Sequence, residues 1–186
     1  MSSTQLARSA LWYARHDWQV FPLRPHTKEP FGGIGVYNAT TDTDTIMDWW
    51  QRWPQANIGL HCGGSGLLAL DLDQYKDTFG GAPLTMAEQE TITSMTGGGG
   101  THLLYQMPDG LHLGNRKGDL PPGVDIRGQG GYIVLPPSIH PSGTPYRWEI
   151  GYGPHEVKAL ALPESLRRIL SYAHQPARLV GPPDDM

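Results

Sequence analysis

Leu67-Leu68-Ala69-Leu70-Asp71-Leu72-Asp73 is an apolar run ending in an Asp-x-Asp pair, and it reads as a buried strand that carries two carboxylates to its end. Side chains two apart on a strand share a face, so Asp71 and Asp73 project together while Leu72 turns into the core. Their Cα atoms then lie roughly 6.6 Å apart, at about 3.3 Å rise per residue. Carboxylates at that spacing can converge on hard divalent cations, which take oxygen ligands and in two-metal sites sit about 3.5 to 4 Å apart. A third acid, Asp125 in Val124-Asp125-Ile126, would complete such a site. Asp also suits turns, so the pair taken alone is compatible with a plain strand end.

Thr96-Gly97-Gly98-Gly99-Gly100-Thr101-His102 follows. Glycine weakens both helix and strand, so four in succession point to a place that needs backbone without side chains. Such a loop can turn successive N–H groups toward a phosphate. His102, opening the run Leu103-Leu104-Tyr105, could add a donor to the same anion. A flexible hairpin loop followed by a half-buried histidine fits the same residues, since the run lacks a Walker lysine and Rossmann spacing. Ser138 lies close to His140 in sequence but reads as a polar loop residue, not as half of a nucleophilic pair.

Working outward, the chain reads as an α/β (α+β) domain rich in short strands and turns. Ser2-x-x-Gln5 matches a capping box opening a helix with Leu6, Ala10, Tyr13 and Ala14 on one face. Gln19 to Leu23 reads as the first strand. Thr41 is the expected cap of a second helix in which Ile46, Trp49, Trp50 and Trp53 keep helical spacing before Pro54. These tryptophans read as core rather than base-stacking platforms. Strands over Ile58 to His61 and Leu67 to Asp71, joined by Gly63-Gly64-Ser65-Gly66, are expected to form a hairpin. Pro83 to Glu88 reads as a short helix, and Thr91 to Met95 and His102 to Met107 as strands flanking the glycine loop. Asp109 to Gly123 is a polar loop able to close over substrate. Gly123 to Arg127, Tyr132 to Leu135 and Tyr146 to Trp148 are the last strands, and Pro163 to Leu170 starts a helix with Leu166, Ile169 and Leu170 as its stripe.

At 186 residues, 38% hydrophobic and 17% charged with 24 Gly and 17 Pro, the chain suits one turn-rich globular domain instead of a helical bundle. That domain is expected over 1–175, with 176–186 as a flexible tail or linker. Cys62 is the single cysteine, which excludes a disulfide framework and a Cys-rich zinc site. The start has no apolar signal region and no run is long enough to span a bilayer, so a cytoplasmic location and no membrane partner are expected. A formal net charge of −4 argues for weak DNA binding by the domain alone, because Lys and Arg contacts to phosphate supply most non-specific affinity. Basic residues do cluster, with Arg8, Arg15, Arg24 and Lys28 early and Arg116, Lys117 and Arg127 near the acids.

Read together, Leu68-Ala69-Leu70-Asp71-Leu72-Asp73, Thr96 to His102, Gly123-Val124-Asp125-Ile126-Arg127-Gly128 and Pro136-Pro137-Ser138-Ile139-His140-Pro141-Ser142-Gly143 resemble the bifunctional primase-polymerase (prim-pol) domain of the archaeo-eukaryotic primase superfamily. That domain occurs in plasmid, phage and prophage replication proteins. Gln19-Val20-Phe21-Pro22-Leu23, Lys28-Glu29-Pro30 and Ala56-Asn57-Ile58-Gly59 match the same pattern, so the resemblance runs from about residue 6 to about residue 150.

The resemblance implies a small N-terminal helix-strand module packed on an RNA-recognition-like mixed sheet, with an active-site cleft between them. It implies that Asp71, Asp73 and Asp125 hold two catalytic Mg²⁺ or Mn²⁺ ions and that His102, with Gly99 and Gly100, meets the nucleotide phosphates. Arg127, Ser138 and His140 are implied neighbours of the nucleotide pocket, and Lys28 and Asn57 occupy motif positions. The implied activity is template-directed nucleotidyl transfer from dNTP or NTP, with or without primer synthesis, on single-stranded DNA template and primer. A helicase or helical accessory domain is the implied partner in a longer protein. Thr101 departs from the basic residue often found before the motif histidine, which makes extension the firmer expectation than de novo priming. A non-catalytic nucleotide- or nucleic-acid-binding module and a metal-dependent nuclease are the alternatives.

Overall fold

The computed structural model describes residues 4–72, 87–110, 113–115 and 124–172. Helix α1 (Gln5–Ala14) is capped by Thr4, whose hydroxyl accepts the Ala7 N–H at 3.2 Å. The expected capping residue, Ser2, lies outside the described residues, and the helix opens two positions later than that capping box required. Helix α2 (Thr43–Arg52) is capped by Asp42, not Thr41: the Asp42 carboxylate accepts the Thr45 N–H at 2.8 Å. A carboxylate at this end also complements the helix dipole, and those same hydrogen bonds hold Asp42 below its ordinary pKa. Ala10, Tyr13, Ala14, Ile46 and Trp50 are buried, while Trp53 stacks on Phe31, so the tryptophans serve the core as expected.

Two sheets carry the chain. The smaller joins β1 (Val20–Leu23), β2 (Asn57–His61) and β7 (Tyr132–Leu135) in the order β1-β2-β7, all antiparallel. Pro22 sits on an edge strand, where its missing N–H is tolerated. The larger sheet runs β6-β3-β5-β4-β8, built from β3 (Leu67–Leu72), β4 (Ile92–Met95), β5 (Thr101–Gln106), β6 (Val124–Arg127) and β8 (Arg147–Trp148). A short ninth strand, β9 (Leu160–Ala161), adds to β5 in parallel. The result is the mixed α+β architecture expected, with few helices and mainly antiparallel pairing.

The expected hairpin between β2 and β3 does not form. The edges of β2 are taken by β1 and β7 and those of β3 by β5 and β6, so the two strands enter different sheets. The connection turns at Gly66 (φ +67°) and is tied instead to the turn after β6, through Cys62 N–H to Gly131 O and Gly63 N–H to Gly128 O. Because β7 comes from late in the chain, the helix-strand module is completed by a C-terminal strand and is not a purely N-terminal unit.

Strand alternation divides the core in two. Leu68 and Leu70, with Leu103, Tyr105, Val124 and Ile126, pack under Leu166 and Leu170 of α3 (Glu164–Tyr172). The opposite face, with Leu67, Ala69, Ile92 and Leu104, packs against α1, α2 and the small sheet. Burial on both faces explains why β3 reads as an unbroken apolar run until Asp71. Asp71 shares the face of Leu67 and Ala69, and the core cover stops there. Buried Cys62 has its thiol pushed up to about 12 by desolvation, which leaves it a small core residue and not a nucleophile.

Of the expected 83–88 helix only the end is described, as a single 3₁₀ turn at Ala87–Gln89. The side chain of Ile169, most of the 109–123 loop and the 176–186 tail lie outside the described residues. Among the described residues no helix is long and apolar enough to cross a membrane.

Candidate active site

The larger sheet sets a row of functional side chains across its strands. Asp71 on β3 pairs with Asp125 on β6 to one side and with His102 on β5 to the other, and His102 in turn pairs with Ser94 on β4. Directly paired residues point to the same face with Cβ atoms about 4.5–5.5 Å apart, so the two carboxylates stand side by side at the edge of the core. His102 is 5% exposed. Its Nε2 lies 3.5 Å from Asp71 Oδ1 and its Nδ1 lies 3.3 Å from Ser94 Oγ, so the ring is held from both ends. Arg127, two positions on and on the same face of β6, reaches along the strand to Asp125 at 3.2 Å.

This row opens into a cleft of about 210 Å³ whose wall includes Lys28, Asp71, His102, Asn115, Arg127, Tyr132 and Tyr146. Tyr146 is buried with its ring near that of His102, and its hydroxyl has no hydrogen-bond partner among the described residues. Burial first, and the Asp71 charge second, raise its pKa, so the phenol stays protonated. Lys28 is held on the opposite lip through its carbonyl, which accepts the Tyr132 hydroxyl at 2.9 Å.

The expected site residues separate in this geometry. Asp71, His102, Arg127 and Lys28 line the cleft, and Asp125 stands beside it, in register with Asp71 and in contact with Arg127. Asp73 lies outside the described residues. Asn57, at its motif position, is 1% exposed and engaged in the fold: Nδ2 donates to Thr27 O and Ile139 O, and Oδ1 accepts from Ile139 N–H. It clamps the Lys28 loop to the His140 loop and has no donor left to offer. Ser138 is likewise buried, its hydroxyl accepting the Ile58 N–H at 2.8 Å.

The glycine loop is the tight turn of the β4–β5 hairpin. The Gly99 N–H donates to Thr96 O and the Gly100 N–H to Thr96 Oγ1, so the two amides expected at a phosphate are engaged within the turn. Gly99 has φ +84°, a left-handed conformation that favours glycine. At Gly97 a Cβ would run into the Cβ of His140, and Ser142 Oγ donates to Gly97 O at 2.9 Å. Close packing against the 140–142 segment therefore accounts for much of the run. His140 borders this turn; burial and the Lys28 charge hold its pKa below the ordinary value.

Ser94, Asn115, Tyr132 and Tyr146 escaped the sequence reading as site residues. A signal existed for Ser94 alone. Once the glycine run is taken as a hairpin turn, pairing Ile92 with Leu104 forces Ser94 opposite His102. The other three reach the cleft through long-range packing that leaves no local pattern.

Two adjacent carboxylates with open space beside them suit a hard cation, whose preferred ligands are oxygens. Among the described residues no third Asp, Glu, His or Cys joins them as a ligand cluster. The remaining expected ligand, Asp73, follows Asp71 by two positions. A family model for the N-terminal domain of bifunctional DNA primase/polymerases matches residues 10–164. The chain belongs to that family. Every element of the acidic row, the Gly97–Gly100 turn and the 136–143 loop lies within the matched prim-pol span, as does all of the cleft wall. No curated protein matches the chain. Membership assigns a DNA primase/polymerase-type function to the domain, and with it chemistry of the nucleotidyltransferase type.

Proposed function

We propose that this prim-pol domain catalyses metal-dependent, template-directed nucleotidyl transfer from a dNTP or NTP to a 3′-hydroxyl on single-stranded DNA. The observation that carries the reading is the in-register pair Asp71 and Asp125, flanked by His102, with Asp71 lining a cleft that has Lys28 and Arg127 on its walls. Asp71 and Asp125, with Asp73, would hold Mg²⁺ or Mn²⁺. Such ions, when bound, lower the pKa of the attacking hydroxyl and stabilise charge on the leaving pyrophosphate.

The chain's own residues do the rest. Lys28 and Arg127 bring positive charge to a triphosphate that two carboxylates would otherwise repel. Arg127 also holds the Asp125 carboxylate in one orientation. Ser94 fixes the His102 ring through Nδ1, and Nε2, 3.5 Å from Asp71 Oδ1, would turn to a phosphate oxygen once a cation takes the Asp71 carboxylate, with little rotamer freedom left to lose. The net charge of −4 supports a division of labour in which template affinity is shared with a helicase or helical accessory domain, in the replication of a plasmid, phage or prophage.

The test is primer extension and unprimed synthesis on single-stranded DNA with Mg²⁺ or Mn²⁺, comparing wild type with Asp71→Asn and Asp125→Asn. Each substitution is expected to lower incorporation by at least about 10³-fold, the loss of some 4 kcal/mol of transition-state stabilisation, with folding retained. Full activity in either variant would remove the site. Nucleotide binding without any incorporation by folded wild type would replace the polymerase with a binding module.

A further inference from the structure

The segment Leu113–Asn115 is a three-residue strap laid across the turn that follows β6. Leu113 is 3% exposed in the α3 core, and its carbonyl accepts the Gln129 N–H at 2.7 Å. Gly114 pairs with Gln129 in an isolated parallel bridge. The next residue, Asn115, is exposed and lines the cleft.

The surface beneath the strap is shaped to receive it. A Cβ on Gly128 would strike the Leu113 carbonyl oxygen, and one on Gly131 would strike Asn115 Oδ1. Only Gly130 in this turn has a left-handed backbone, at φ +69°. Glycine at 128 is therefore required by the strap backbone, and at 131 a Cβ would push the end of the Asn115 side chain aside; the conformation of the turn requires neither. The turn is itself anchored to the start of the β2–β3 connection through Cys62 and Gly63. Thus a buried leucine, a glycine beneath its carbonyl and a fixed turn together place one amide side chain at the cleft. That amide makes no hydrogen bond to any described residue, so the fold gains nothing from its polarity.

Resting on the nucleotidyl-transfer reading, we propose that Asn115 is a substrate-binding residue that hydrogen-bonds a sugar hydroxyl of the bound nucleotide. Lys28 and Arg127 carry the charge that phosphate demands. Asn115 is neutral and offers one acceptor and two donors, which match an uncharged hydroxyl. A template-directed enzyme must accept all four bases, so a fixed amide has no use in choosing among base edges. The uncharged group shared by every nucleotide is the sugar.

Titration calorimetry with Mg²⁺ and dATP, ATP or 2′,3′-dideoxy-ATP tests this on the full chain. Asn115→Ala, at an exposed position, is expected to weaken dATP and ATP binding about tenfold, one neutral hydrogen bond's worth, and to leave dideoxy-ATP binding unchanged. Gly131→Ala, whose Cβ would displace the Asn115 side chain and also lie 3.1 Å from the Arg127 Cα, should weaken dATP and ATP more than dideoxy-ATP, with its native fold verified by circular dichroism. Equal weakening of all three ligands by Asn115→Ala, or no weakening, overturns the sugar contact while wild-type binding keeps the nucleotide reading intact. Absence of binding by folded wild type overturns both.

Discussion

The turn at Gly97–Gly100 and the turn at Gly128–Gly131 both flank the acidic row, and they use glycine in different ways. The first is conspicuous in sequence, closes on itself through Thr96, and packs against His140 and Ser142. The second is inconspicuous, is anchored to Cys62 and Gly63, and carries the strap that places Asn115 in the cleft. Glycine density therefore marks close backbone approach in both, but only the second approach builds the cleft wall. A glycine run is evidence for crowding before it is evidence for a phosphate.

That contrast can be broken by substitution. Gly128→Ala sets a Cβ against a backbone carbonyl whose residue is rooted in the core, and should cost about 3 kcal/mol; Gly97→Ala meets the more exposed His140 segment and should cost about 2 kcal/mol. Gly98→Ala, with its nearest neighbour 3.3 Å away at the His140 ring, should be nearly neutral in urea denaturation. If folded Gly98→Ala lost nucleotide affinity, the phosphate-loop reading of the first turn would return.

A smaller effect is expected at Ser94. Removing its hydroxyl frees one end of the His102 ring, and Ser94→Ala should raise the nucleotide KM about fivefold, roughly 1 kcal/mol, with kcat changed less and Ser94→Thr restoring much of the loss. Steady-state kinetics with varied nucleotide would show a kcat defect instead if Ser94 served the chemical step.

The smallest effect concerns pH. Each turn lies beside a histidine whose pKa is held down: His140 by the first, by burial and then Lys28, and His61 next to Cys62 at the root of the second, by burial. The unfolded chain takes up these protons first, so the stabilising contribution is full above the ordinary value of 6.5 and is lost as pH falls through the lower folded values. His61 has a buried Nε2 without a partner among the described residues, whereas His140 is more open to solvent. His61→Gln should therefore flatten the fall in stability between pH 7.5 and 5.5 more than His140→Gln does, as read from urea midpoints. The reverse order would mean that the first turn is the more tightly desolvated.

Much of this arrangement was legible beforehand, for local reasons. The β4–β5 hairpin, the buried β3 and the two amphipathic helices, though not their capping residues, follow from patterns within ten or so residues of one another. The hydrogen bonds of Asn57 and Ser138 to the fold were not legible, because a polar residue in a motif reads the same whether it faces a ligand or a carbonyl 82 positions away, as Asn57 does at Ile139. The β2–β3 hairpin misled because a short glycine-rich connection permits pairing without requiring it, and both strands found other edges.

Sequence alone determined the strand that carries Asp71, the hairpin that returns His102 beside it, and membership of the prim-pol family, since alternation and turn chemistry are properties of adjacent residues. Tertiary structure alone decided that Asp125 stands next to Asp71 instead of on a separate edge, that Asn57 and Ser138 support the walls, and that Asn115, Tyr132 and Tyr146 join the cleft. Those outcomes depend on which strand edges remain unpaired and which backbones can approach within a glycine's width, and both are settled only when the whole chain packs.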